Sequence, residues 1–204
     1  MKKQKMSTRT LVVVAMMAAI STVLMYFELP VPLMPPFLKL DISAVPVMIG
    51  SFMFGPAAGV MVAAVKALVH VLSTQTGGVG ELADFLITSS FAITCGLIYR
   101  KNHTRNGALI ASVASIGAIS LVGCLANYFI LIPFYENMMP IEAIISACNA
   151  INPAINSMAG YIFFGVLPFN IIKGTIAAIV TFLVYKKLST VINRYTTVDK
   201  AGNI

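Results

Sequence analysis

Six apolar stretches follow one another along this chain: Leu11–Phe27, Ile42–Phe54, Ala57–Leu72, Leu82–Tyr99, Ala108–Phe134 and Phe169–Tyr185. The only formally charged side chains inside them are Lys66, Asp84 and Lys173. Such a pattern needs a non-aqueous surrounding. Of the 204 residues, 58% are hydrophobic and 10% charged, with a mean hydropathy of +0.90. An average soluble domain carries about 45–50% apolar and 25% charged residues, and a soluble fold of this composition would be left with a greasy surface. Disorder is excluded too, because it requires low hydrophobicity and high charge. At roughly 20 apolar residues per crossing, the length allows about six to eight crossings. No room is left for an ATPase or any other sizeable catalytic module.

The net charge of +7 suggests nucleic acid only until its placement is considered. Lys2, Lys3, Lys5, Arg9, Arg100, Lys101, Arg105, Lys186, Lys187, Arg194 and Lys200 lie at the chain ends or in one short connection. This is how a membrane protein marks its cytoplasmic side. The start imitates a signal peptide, but Glu28, Leu29 and Pro30 offer no small-residue cleavage site, so the expectation is a retained first helix. Cys95, Cys124 and Cys148 fit no metal spacing and read as buried small apolar residues.

Parity sets the number of crossings. With the basic N-terminus inside, six crossings keep both RKNHTRN (100–106) and Lys186–Lys187 inside. Counting the Pro- and Asn-bearing stretch Ile141–Val166 as a crossing, or dropping the short Ile42–Phe54, sends one basic group outside. The expectation is an all-α integral membrane protein. Residues 1–204 form a single transmembrane domain, a bundle of six helices near 9–27, 42–54, 57–73, 81–99, 107–132 and 168–188, with both termini cytoplasmic. Ile141–Val166 becomes a folded outer connection or a re-entrant piece.

This topology collects the polar residues on the outer side. Glu28, Lys39, Asp41, Gln75, Glu81, Asp84, Glu136, Asn137, Glu142, Asn170 and Lys173 all fall at or near that face, so a site that opens outward is the economical reading. Lys173 stands about five residues past Pro168 and shares a helix face with Asn170. Ionisable groups in a membrane are costly and usually functional; Lys173 either contacts substrate or pairs with Asp41, Glu81 or Asp84. Glu81 and Asp84 at the start of the fourth helix suit its dipole and serve equally as caps or ligand contacts. Lys66 and His70 share a face at i and i+4, with Asp84 or Glu81 as the expected partner of Lys66. Ala15, Ala18 and Ala19 give the first helix a small-residue face that permits close helix approach. No phosphate loop, zinc-protease motif or nucleophile elbow is present, which argues against an enzyme.

The segment FLKLDISAVPVMIGSFMFGPAAGVMVAAVKALVHVL (37–72) and the following TGGVGELADFL (76–86) strongly resemble the riboflavin-specific S components of energy-coupling-factor (ECF) transporters. NYFILIPFY (127–135) and FNIIKG (169–174) are similar to that family as well. One departure is Ala44, where the family often has an acidic residue; Asp41 remains.

The resemblance implies six transmembrane helices that capture riboflavin from outside. It implies a partner module of one transmembrane coupling protein and two cytoplasmic ATPases, docked on the alanine face of the first helix. It places the flavin against Asn137, Asn170 and Lys173, with Leu40, Asp41 and neighbours contributing from the first outer connection. Glu81 joins this polar set, and Leu40, Met48, Val79 or Phe85 would wall the ring. Riboflavin is cargo here; no cofactor and no covalent chemistry are implied. An S component for another vitamin and a stand-alone ion-driven carrier are the alternatives. The carrier is disfavoured by the lack of duplicated halves.

Overall fold

The computed structural model describes residues 6–201 except 33, 36, 37, 75 and 139, and for 185–201 the backbone alone. Lys2, Lys3, Lys5, Phe37 and Gln75, and the side chains of Lys186, Lys187, Arg194 and Lys200, therefore lie outside the described residues.

Helix α1 (Thr8–Met25) is started by Ser7, whose hydroxyl accepts the Thr10 N–H at 3.2 Å. A two-residue hairpin, β1 (Leu29–Pro30) with β2 (Lys39–Leu40), leads to α2 (Ala44–Phe54). Gly55 turns the chain at φ +88°, and Pro56 opens α3 (Pro56–His70), where its missing N–H costs nothing. Then come α4 (Val79–Lys101) and α5 (Arg105–Ala126), which Thr104 caps through the Gly107 N–H. Helix α6 (Ile141–Ile151) precedes α7 (Leu167–Ala201).

Among the described residues, five helical runs are long and apolar enough to cross a membrane: Thr8–Met25, Pro56–Ser73, Val79–Lys101, Arg105–Glu136 and Met158–Val184. Helix α2 is different. Its eleven residues span about 16 Å, half of a roughly 30 Å hydrocarbon core. Every residue from Ala44 to Met53 is buried. Met48, Phe52, Phe91, Tyr99 and Ile119 form the main core around it, with the Phe52 and Tyr99 ring centroids 4.6 Å apart. So α2 is an axial plug wrapped by its neighbours.

Two helices do not run as their sequence suggests. Pro133 and Pro168 each withdraw an N–H from the helical ladder. The chain absorbs this with π-type turns at Asn127–Leu131 and Tyr161–Val166 and stays helical throughout. The last transmembrane run therefore begins at Met158, capped by Ser157 accepting the Gly160 N–H, rather than near 168. Lys173 stands six residues into α7 and, counted along the continuous run, about 22 Å from Met158.

Chain direction alternates. Arg105 lies over the Phe182 ring at 5.2 Å, which puts the 100–106 connection beside the far end of the apolar run Met158–Val184. At the opposite end the Tyr26 hydroxyl and Ser73 Oγ share a 2.8 Å hydrogen bond, joining the exits of α1 and α3.

Candidate functional site

At that second end a cavity of about 970 Å³ opens between the helix ends. Asp41, Glu81, Asp84, Asn170 and Lys173 line its depth, with Asn127, Leu131, Tyr135 and Phe169 along one wall. Tyr26, Lys39 and His70 stand among its other lining residues.

Four charges meet at its base. Lys173 Nζ donates to Asp41 Oδ2 at 2.7 Å and reaches Asp84 Oδ1 at 3.4 Å. Lys66 Nζ lies 2.7 Å from Asp84 Oδ2 and donates to Ser43 Oγ at 3.0 Å. The Ser43 N–H closes the turn onto Asp41 Oδ1 at 2.7 Å, and Ser21 Oγ donates to the Ser43 carbonyl at 2.6 Å. Two cations and two carboxylates cancel. Neutrality and satisfied hydrogen bonds let such groups sit at membrane depth, where an unpaired charge is strongly unfavourable. Of the partners expected for Lys173, Asp41 and Asp84 are the ones it meets; for Lys66 it is Asp84.

Glu81 belongs to a second cluster, one helical turn before Asp84 on α4. His70 Nδ1 is 3.0 Å from Glu81 Oε1, and Thr74 Oγ1 donates to Glu81 Oε2 at 2.8 Å. The GGVG run explains this position. Gly77 and Gly78 take φ of +60° and +92°, a region open to glycine. Their turn lets the Thr74 and Thr76 hydroxyls accept the N–H groups of Gly78 and Gly80. The loop so capped aims Glu81 into the cavity. At the mouth, Lys39 Nζ donates to Glu28 Oε2 at 2.8 Å across the hairpin.

The structure brings Asp41, Glu81, Asn170 and Lys173 to one cavity. The other expected flavin contacts lie outside its lining. Leu40 pairs with Leu29 in the hairpin, Met48 is fully buried in the α2 core, and Val79 is the first residue of α4. Asn137 is exposed, caps the helical run that ends at Glu136, and donates to the Pro133 carbonyl. Phe85 packs against the α1–α3 core instead. Of the alanine face, Ala15 and Ala19 are exposed, whereas Ala18 is buried against the bundle.

Asn127 was missed at the sequence level. Its Nδ2 donates to the Gly123 carbonyl and its Oδ1 accepts from the Tyr161 hydroxyl at 2.9 Å, tying the two π segments together. The signal was an amide within an apolar helix, four residues after a glycine. Gly123 itself makes room for Asn170, whose amide lies 2.5 Å from where a Cβ would stand.

Comparison with known proteins agrees with this architecture. The family model for the ECF transporter, substrate-specific component, matches residues 9–185. The riboflavin transporter RibU of Staphylococcus aureus (strain TCH60) is 34% identical over 197 residues, 95% of this chain and 97% of that protein. The riboflavin transporter FmnP of Bacillus subtilis (strain 168) is 30% identical over 186 residues, 90% and 93% of the two chains. The solved S component of a bacterial ECF transporter superposes with a TM-score of 0.72 at 32% identity, covering 90% of this chain and 97% of the other.

Proposed function

This chain belongs to the substrate-specific components of ECF transporters, and from that membership we propose that it is the subunit that binds riboflavin and hands it to an ATP-driven partner module. It is a multi-pass protein of the cell membrane. The observation that carries the ligand is the cavity itself: about 970 Å³, with aromatic and aliphatic walls above a polar base.

Riboflavin matches those surfaces. Its isoalloxazine ring is flat and largely apolar, and suits Leu131, Tyr135 and Phe169. Its imide edge both donates and accepts, as an amide side chain does. Asn170 and Lys173 supply amide and ammonium groups to that edge; Asp41 and Glu81 accept from ribityl hydroxyls. Binding needs no covalent step, and riboflavin is cargo rather than cofactor.

The wider reading keeps α2 as a sixth, shortened crossing and both termini cytoplasmic, so the cavity opens outward. Energy comes from one transmembrane coupling protein and two ATPases, with Ala15 and Ala19 on the exposed face of α1 as the docking stripe. The deciding experiment is direct. Protein purified in detergent should carry a flavin absorption spectrum that survives washing, or quench added riboflavin stoichiometrically. A colourless preparation that leaves flavin fluorescence untouched overturns the reading.

A further inference from the structure

Lys66 is fully buried on α3 and does not line the cavity, yet it holds one of the two carboxylates that contact Lys173. We propose that Lys66 is a positioning residue for ligand binding: it draws Asp84 toward itself and so leaves the Lys173 ammonium a donor free for the ligand. This rests on the riboflavin reading above.

The distances carry the inference. Asp84 meets Lys66 at 2.7 Å through Oδ2 but Lys173 only at 3.4 Å through Oδ1, while Lys173 holds Asp41 at 2.7 Å. Lys173 thus commits one N–H firmly to Asp41 and one loosely to Asp84. The third remains for the cavity that Lys173 lines. Ser43 and Thr88, at 3.0 and 3.5 Å, fix Lys66 in place. Without the Lys66 charge, the base of the cavity would hold two carboxylates and one ammonium. Asp84 would close on Lys173, and the ligand would have to compete for a clamped donor.

Such an imbalance is corrected by a proton, which gives the proposal a signature that packing lacks. The charged groups facing Asp84 are Lys66 from α3, Lys173 from α7 and Asp41 from the connection before α2; His70 and Glu81 line the same cavity. Riboflavin affinity is measured by fluorescence quenching between pH 5 and pH 8 for the wild type, Lys66→Met, and Lys66→Met combined with Asp84→Asn. The variant is always read as a ratio to wild type, which removes any contribution of the His70–Glu81 pair. For Lys66→Met the dissociation constant should rise about tenfold at pH 8, the loss of roughly one charge-assisted hydrogen bond. It should return toward wild type as acid protonates a carboxylate. In the charge-matched double variant, where a single carboxylate is left for the one ammonium, the ratio should lose its dependence on pH.

A ratio near one throughout, or a ratio raised equally at all pH and in the double variant, overturns the proposal. If Lys66→Met does not accumulate folded, Lys66→Gln, which removes the charge but can still hydrogen-bond Ser43 Oγ, is titrated in its place and judged by the same two outcomes. Absence of binding in the wild type would instead reject the riboflavin reading.

Discussion

Lys173 and Asp41 stand 132 positions apart in sequence and meet at 2.7 Å, which ties the last transmembrane helix to the turn that begins the buried plug α2. The same ammonium lines the cavity. Structural pairing and ligand contact, posed by the sequence as alternatives for Lys173, are therefore compatible in one side chain.

Lys173→Met tests both roles. Removing it strands Asp41 in a buried place, so the ligand-free protein should melt at lower temperature. Riboflavin affinity should fall about 5- to 150-fold, as expected for losing a buried hydrogen bond worth roughly 1–3 kcal/mol. Adding Asp41→Asn should recover much of the melting temperature but not the affinity. Full recovery of affinity in that pair would show that Lys173 acts only through Asp41.

Gly123→Ala should weaken binding without touching the ligand. An added Cβ would stand 2.5 to 2.7 Å from the Asn170 amide atoms, which must then swing or push α5 and α7 apart. A loss of roughly tenfold in affinity, about 1.4 kcal/mol, is expected in a fluorescence titration. Unchanged affinity would remove Asn170 from the site.

Gly59→Ala gives a packing control away from the cavity. Its Cβ would collide with Ser51 Oγ and approach the Ala92 Cβ to 2.9 Å, where α2, α3 and α4 meet. Overpacking of this kind costs about 1–3 kcal/mol. The melting temperature should drop while affinity at low temperature stays close to wild type.

The alanine face now divides. Ala15→Phe and Ala19→Phe place bulk on the exposed side of α1, so binding should persist and uptake into cells should fail. Ala18 is only 1% exposed, and Ala18→Phe should lower the yield of folded protein instead. Normal riboflavin uptake by both outward variants would exclude this face as the docking surface.

A topology measurement checks the orientation. In a background lacking Cys95, Cys124 and Cys148, a cysteine replacing Asn106 should resist an impermeant thiol reagent in intact cells. One replacing Asn137, exposed at the cavity end of the bundle, should react. The reverse pattern would invert the bundle and close the cavity to the outside.

Apolar runs and the confinement of basic residues to the ends and one connection already fix a membrane bundle and gather its polar chemistry at one end, because burial in lipid depends on local composition alone. Asp41, Glu81, Asn170 and Lys173 were legible for the same reason: polar groups at membrane depth must be accounted for. Tertiary structure decided what depends on neighbours. The hydropathy of α2 cannot tell contact with lipid from contact with protein, and only packing shows it sheathed on all sides. Pro168 reads locally as a helix start, but the π turns before it carry the rod back to Ser157. The sequence offered Lys173 the carboxylates Asp41, Glu81 and Asp84. The choice came from the Gly77–Gly78 turn, which holds Glu81 toward His70 and Thr74, while Asp84, one helical turn later, faces Lys66 and Lys173. Charge pairing is settled by distances of a few ångström between elements far apart in the chain, and those distances exist only once the helices have packed.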